Sequence, residues 1–502
     1  MRLPERLAHI LGLEPDAPAI ESEGRWYPWR FLSGLAQQLD RALTAAGIPQ
    51  GEAVGIYASN RPTVVAALAG LLMSRRCAVF INPNEPESQT AQEIESLRLR
   101  AFAADASAWR AGSLVDALRN TKTLGLVLNR DACSVSLYPG LDRPEPGSYR
   151  PPHPGLALDQ TTSGTTGAPK RATKTLEQLE VLLAGGHPDH KNAALPAGIK
   201  GSPSIVFKSM AHSGGALSIM LALYEARPLS LHEKFEVKTW VEAVRRHRPK
   251  VASLVPAMVR MLWDAGVPPD ALDSLIAIRT GTAPLDPLLQ RDFEQKYGIP
   301  LLIDYGGTEI GAITAWSLID HKQYAQSKRG SAGRVKRGVD LRTVDETSGA
   351  PTAAGAIGIL EVRNSSIGPE WIRTTDLAAI DADGFLFVHG RVDGAINRGG
   401  FKILPEIVAQ ALRSHEDVGD AAVIGVADQR LGQVPVAFVE PHPGRPAPEA
   451  NTLIRFARDI LPAYQVPVAI HVLGALPRTA SLKVSLPSLR ALLESQVDTR
   501  QE

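Results

Sequence analysis

The segment TTSGTTGAPK, Thr161 to Lys170, packs five hydroxyl residues, two glycines and a terminal lysine into ten positions. Glycines let backbone N–H groups turn toward an anion, hydroxyls donate further hydrogen bonds, and lysine supplies a mobile positive charge. Thr162, Ser163, Gly164, Thr165, Thr166, Gly167 and Lys170 therefore suit a phosphate cradle, although an ordinary surface turn has the same composition. It is not a Walker loop, because Lys170 lies between Pro169 and Arg171 and no Ser or Thr follows it. A second cluster is DYGGTEIG, Asp304 to Gly311. Tyr305 could stack on a flat base, Thr308 could bond a phosphate and Glu309 could hold Mg²⁺; a strand end with a surface glutamate is the alternative. The third is IRTTDLA, with Thr374, Thr375 and Asp376, followed by Arg391 in HGRVDG. A carboxylate can accept from two vicinal hydroxyls at once, which is what a ribose offers, whereas a turn aspartate and a surface arginine are the plainer reading.

These clusters need elements to hold them. Leu32, Leu35, Leu39 and Leu43 recur at helical spacing and end at Gly47; a strand is expected at Val54 to Tyr57, and Asn60 and Pro62 open a helix through Leu72. Strand-like runs follow at Cys77–Ile81, Ala101–Ala104 and Leu124–Leu128, an alternation that predicts a parallel sheet with crossover helices. A Pro-rich span from Pro144 to Pro154 leads into the Thr/Gly loop, which a helix-like segment follows. Further strands are expected at Ile205–Phe207, Leu229–Leu231, Val251–Leu254 and Leu301–Ile303, with a helix at Val237–His247. From about Gly330 short strands with Gly and Asp turns, such as GILEVR and DGFLFVHGR, read as a β-rich section. After Gly390, helices at Pro405–Ser414 and Asn451–Leu461 with strands at Ala421–Val426 and Val434–Val439 make a small α+β domain. The fold class is α/β: a large body of doubly wound sheets, a β-rich subdomain and a small C-terminal α+β domain.

Composition narrows the function classes. A chain of 502 residues exceeds what one core serves, so subdivision is expected. Lys and Arg number 54 against 53 acidic residues, which gives nucleic acid or an anionic membrane no electrostatic footprint. The two cysteines are too few for a disulfide framework and have no zinc spacing, so a reducing, cytoplasmic setting is expected. No run approaches the roughly 20 apolar residues of a membrane span, and no secretory signal opens the chain.

In this order and spacing, TTSGTTGAPK, DYGGTEIG, TTDLA, GRVDGAINRGGFKILP and PRTASLK resemble the adenylate-forming superfamily of acyl-CoA synthetases, peptide-synthetase adenylation domains and luciferases. The resemblance covers nearly the whole chain. It implies that the Thr/Gly loop holds the β- and γ-phosphates of ATP, that Tyr305 lies against adenine with Asp304 near its amino edge, and that Thr308 contacts the α-phosphate. It implies Mg²⁺ on Glu309 and the ribose on Asp376 and Arg391. Lys483 matches the lysine that meets the carboxylate and α-phosphate during adenylation. Asp393 falls at the hinge between an N-terminal domain, 1–391, and a mobile C-terminal domain, 392–502, whose face Gly399, Gly400, Phe401 and Lys402 turns toward coenzyme A in the second half-reaction.

The resemblance also places an acyl pocket. In SMAHSGGALS, Ala211 and His212 stand where acyl- and aryl-CoA synthetases commonly have an aromatic and a histidine. Amino-acid-activating relatives carry an aspartate near His212, so the acid expected here lacks an α-amino group. Gly281, Thr282, Ala283, Gly306 and Gly307 would line the same cavity and make it roomy, suited to a medium-length aliphatic, aryl or polycyclic acid. The activity implied is ATP-dependent acyl adenylation and transfer to coenzyme A. A carrier-protein phosphopantetheine as acceptor is the first alternative, and a nucleotide-binding protein without turnover the second; a homodimer is left open. Two departures from the family pattern stand out. Arg171 replaces a usual glycine and either adds a phosphate contact or points outward; Val408 replaces a usual glutamate, which puts in doubt a stabilising contact near the swivel but removes no group that the chemistry requires.

Overall fold

The computed structural model describes residues 2–144, 147–162, 170–185, 194–307, 309–399, 401–479 and 482–498. They divide into two compact units. The first holds the described chain through residue 253 together with 270–276; the second holds 254–269 and everything from 277 onward.

The expected βα alternation builds the first unit. Its seven-stranded sheet runs, in spatial order, Ser134–Leu137, Leu124–Asn129, Ala101–Asp105, Ala53–Tyr57, Cys77–Ile81, Leu156–Thr162 and Lys170–Thr175. The middle five pair in parallel, and the helices Pro62–Met73, Glu87–Leu97 and Gly112–Asn120 supply crossovers. Alternate residues along the strands feed two separate cores. Val54, Ile56, Ala78 and Phe80 pack with Leu32, Leu35 and Leu39 of the helix Trp29–Ala45. Cys77, Val79 and Ile81 pack with Ile94, Leu114 and Leu118 on the other side, so the sheet is covered on both faces. A four-stranded sheet of Ser204–Val206, Leu229–Leu231, Pro18–Ser22 and Arg25–Pro28 completes the unit. It buries Glu21; burial alone would raise that carboxyl, but hydrogen bonds with His247 and Ser230 outweigh it and hold the group below its ordinary value.

One local expectation fails. The segment after the Thr/Gly loop does not begin as a helix: Lys170–Thr175 is a strand paired antiparallel to Leu156–Thr162, and the helix Leu176–Leu183 starts only afterwards. Thr175 and Gln178 form a capping box there, each side chain bonded to the other's backbone N–H, which fixes the start one residue past the strand.

In the second unit, Ala277–Gly281 pairs in parallel with Leu301–Gly307, which turns back antiparallel into Gly311–Ala315. The β-rich section is a four-stranded antiparallel sheet of Val339–Val344, Gly358–Asn364, Ile372–Ile380 and Leu386–Arg391. Beyond it, the long hairpin Val418–Asp428 and Gly432–Pro441 packs with the helices Pro405–Arg413 and Ala450–Ile460 and the strand Ala469–Val472. Val408 is 0% exposed in that core, among Ile403, Leu412, Val423 and Leu453. The site is therefore a packing position. Val408→Glu is expected to cost about 2–3 kcal/mol in a urea unfolding titration, since a carboxyl there has no partner; a loss under about 0.5 kcal/mol would show that the side chain reaches solvent.

Candidate functional site

The third sequence cluster assembles as a network. Asp376 and Arg391 are paired across two antiparallel strands, and Tyr305, at the end of its own strand, donates its hydroxyl to Asp376 Oδ2 at 2.6 Å. Arg391 donates to Thr375 Oγ1 at 2.9 Å and to Asp393 Oδ2 at 2.5 Å. Burial pushes the Asp376 carboxyl up, while the Tyr305 hydrogen bond and the Arg391 charge pull it back. Burial, with Asp376 close by, pushes the Tyr305 phenol far above its usual range, so it stays a donor. Asp304, one residue earlier, is engaged by the guanidinium of Arg279, with Nε 2.8 Å from Oδ2 and a second contact to Oδ1.

Lys483 belongs to the same unit. It sits in a tight turn in which Ser485 N–H bonds to Pro477 O at 2.8 Å, Thr479 N–H to Lys483 O at 2.7 Å, and Leu482 N–H to Thr479 O at 2.8 Å. Leu482 takes a left-handed backbone, φ 62°. Arg478 anchors the turn by donating to Asp420 Oδ2 at 2.8 Å, and Leu476 N–H bonds Glu440 Oε2 at 2.9 Å. The Lys483 amine is partly buried and has no acceptor among the described residues. Burial first, and then the charge of Arg391, lower its pKa from the ordinary lysine value. An amine with donors unused and a second cation at hand is suited to an incoming anion.

Among the described residues no cluster of three His, Cys, Asp or Glu could hold a metal. Glu309 is exposed in the turn after Leu301–Gly307 and makes no ion pair with a described residue. One carboxylate completed by phosphate oxygens and waters is a donor set that Mg²⁺ accepts, so Glu309 fits that role.

Ser163, Gly164, Thr165, Thr166, Gly167, Thr308 and Gly400 lie outside the described residues, as do the side chains of Thr162 and Lys170. What carries the Thr/Gly loop is described, and it corrects both readings of Arg171. Thr161 pairs with Arg171 and Thr162 with Lys170 across the neck of the hairpin. From there Arg171 turns inward: Nε donates to Asp159 Oδ1 at 2.8 Å, Nη2 to the carbonyls of Asp159 at 3.0 Å and Phe80 at 3.2 Å, and Nη1 to Glu93. Arg150 meets the other Asp159 oxygen at 2.6 Å. Two arginines and two carboxylates thus neutralise one another at the base of this hairpin. The charge of Arg171 is spent there, neither outward nor on a phosphate. Sequence reasoning also missed Gln160, 1% exposed on the strand leading into the loop, whose amide donates to Ser213 Oγ.

Of the residues expected around an acyl pocket, Ala211 is buried and His212 is the N-cap residue of the helix Ser213–Tyr224. Two of the glycines have a nearer explanation than pocket width. A Cβ on Gly281 would stand 2.4 Å from Asp304 O, and one on Gly306 would stand 2.1 Å from Gly311 O. Strand neighbours fill that space, so their smallness is no measure of room for a substrate. Thr282 has φ 73°, and Ala283 follows it. At the C-terminal end, Gly399 has φ 56°, Phe401 is 56% exposed and stacks on Tyr464 with ring centroids 4.7 Å apart, and Lys402 contacts both Glu346 oxygens at 2.8 Å.

A sequence profile described as AMP-binding enzyme matches residues 8–370, and one described as AMP-binding enzyme C-terminal domain matches 408–483. The chain is 29% identical to an indoleacetate–CoA ligase of Aromatoleum aromaticum over 98% of both chains. It is 28% identical to a 2-succinylbenzoate–CoA ligase of Geobacillus kaustophilus over 99% of both. It superposes on ATP-bound MatB from Rhodopseudomonas palustris with a TM-score of 0.81 at 20% identity, covering 98% of this chain and 99% of that one, a likeness of fold. No helix among the described residues is long and apolar enough to cross a membrane.

Proposed function

The chain belongs to the AMP-binding enzyme family, and on that premise we propose that it activates a carboxylic acid with ATP and passes the acyl group to coenzyme A. A carboxylate oxygen attacks the α-phosphorus, the bond to the bridging oxygen breaks, and pyrophosphate leaves with that electron pair. The thiolate sulfur of coenzyme A then attacks the acyl carbon and the C–O bond to AMP breaks, giving the thioester. The observation that carries this reading is the Lys483 amine, partly buried, without an acceptor among the described residues and close enough to Arg391 to feel its charge. Two anions meet in the first step, and a preplaced cation in a dehydrated site lowers the barrier most where their charge concentrates.

In this reading Asp376 and Arg391 hold the ribose, Tyr305 faces the base, and the Thr/Gly loop with Lys170 holds the phosphates that leave. Thr308 contacts the α-phosphate, and Glu309 holds Mg²⁺, which when bound neutralises phosphate charge. Residues 392–502 move about a pivot near Asp393, and Gly399 to Lys402 face the thiol donor after the turn. His212, in place of an aspartate, favours an acid without an α-ammonium group. The two ligases named for aryl acids set the order of testing, aryl acids before aliphatic ones.

The test is an acid panel assayed for ATP-dependent hydroxamate formation, then for thioester with free coenzyme A and with a phosphopantetheinylated carrier. Adenylation of an aryl acid and thioester with free coenzyme A are expected. Thioester on the carrier alone would replace the acceptor, and ATP binding without hydroxamate from any acid would leave a nucleotide binder.

A further inference from the structure

Tyr305 presents more than a ring. Its hydroxyl is 2.6 Å from Asp376 Oδ2, and Asp376 Oδ1 has no partner among the described residues. The carboxylate is thereby held by one oxygen with the other left open. We propose that Tyr305 is a positioning residue for a nucleotide's ribose: its phenol fixes Asp376 through Oδ2 and leaves Oδ1 to accept from a ribose hydroxyl. This rests on the nucleotide reading above and adds to it a second task for the residue that faces the base.

The surroundings make the phenol's contribution readable. Asp376 is partly buried, which favours its neutral form. Facing it are Tyr305 from the strand Leu301–Gly307, Arg391 from the strand Leu386–Arg391, and Asp393 just beyond. The first two stabilise the carboxylate and Asp393 opposes it. Lys483 lies close enough to Arg391 for their charges to interact. His389, on the same strand as Arg391, is held below the ordinary histidine value by burial and so is neutral above about pH 6.5. A protonated Asp376 loses one acceptor and turns a donor toward the ribose, so nucleotide affinity should fall as pH drops through the Asp376 pKa. Removing the phenol removes a hydrogen bond that the ionised form receives more strongly than the neutral one. The pKa then rises further, and the acid limb begins at higher pH.

The experiment is AMP binding by isothermal titration to the full chain between pH 5.5 and 8.5, comparing wild type, Tyr305→Phe and Asp376→Asn. The ratio of variant to wild-type Kd cancels titration of the ligand's own phosphate. For Tyr305→Phe, which keeps the aromatic face, the ratio is expected to be smallest at pH 8.5, where only the lost positioning counts, and to climb a further few fold toward the acid end as the limb moves to higher pH. Asp376→Asn should bind weakly with no limb of its own. A Tyr305→Phe ratio that stays flat, whether near one or uniformly raised, overturns the proposal: the phenol is then idle or merely structural, and wild-type binding leaves the nucleotide reading standing. If wild type binds no AMP at any pH, that reading falls and this one with it. Thermal melting of each variant separates loss of fold from loss of the limb.

Discussion

Lys483→Ala is expected to lower acyl adenylation about 10²–10³-fold while leaving thioester formation from supplied acyl adenylate within a few fold of wild type. The asymmetry follows from where charge lies. In the proposed first step an anionic carboxylate and an anionic phosphate share one transition state, and the Lys483 amine is the cation proposed to meet them. In the second step the nucleophile attacks an acyl carbon already activated, and the proposed rotation has withdrawn the amine. The lowered pKa of Lys483 adds a sign that can be checked. The basic limb of adenylation should lie below the ordinary lysine pKa, because the charged form is lost early, whereas thioester formation should lack that limb. ATP–pyrophosphate exchange and a coupled AMP assay measure the two steps separately. Equal loss in both would remove Lys483 from the adenylation step and mark it as structural.

Arg171→Met is expected to destabilise the fold by about 3–5 kcal/mol, read as the shift of a urea unfolding midpoint at constant slope. Asp159 is 1% exposed and would keep only Arg150, and Glu93 would lose its cation. Arg171→Lys should recover only part of the loss, because one ammonium cannot reach two carboxylates and two carbonyls at once. Folded variant protein should then show a KM for ATP raised a few fold at most. Unchanged stability with a tenfold rise in KM would reverse the assignment and return Arg171 to the phosphates.

The contrast between Arg171 and Asp376 shows what the sequence could reveal. Asp376 was readable because its neighbours in the chain, Thr374 and Thr375, sit in a motif whose order with four others is distinctive. Its partner Tyr305 lies 71 positions away, and nothing in either motif announces that they touch. The strands Ala53–Tyr57 and Cys77–Ile81 were legible because buried parallel strands are apolar runs. The strand Leu156–Thr162 was not, because Asp159 and Gln160 interrupt its apolar pattern. They can be buried there only through Arg150, Arg171 and Ser213, which is a tertiary fact. Val408 likewise read as a missing carboxylate until its burial made it a core residue.

The turn that carries Lys483 has a further consequence. Arg478, donating to Asp420, and Leu476, whose N–H bonds the Glu440 carboxylate, join it to the strands Val418–Asp428 and Gly432–Pro441, so those strands and the lysine share one frame. A loop that had to be ordered afresh in every catalytic cycle would lose conformational entropy each time. Here most of that ordering is completed when the chain folds. Under the proposed rotation of residues 392–502, each turnover would then require only a change in orientation, and the search for the proposed amine position would shrink from many torsions to one rotation.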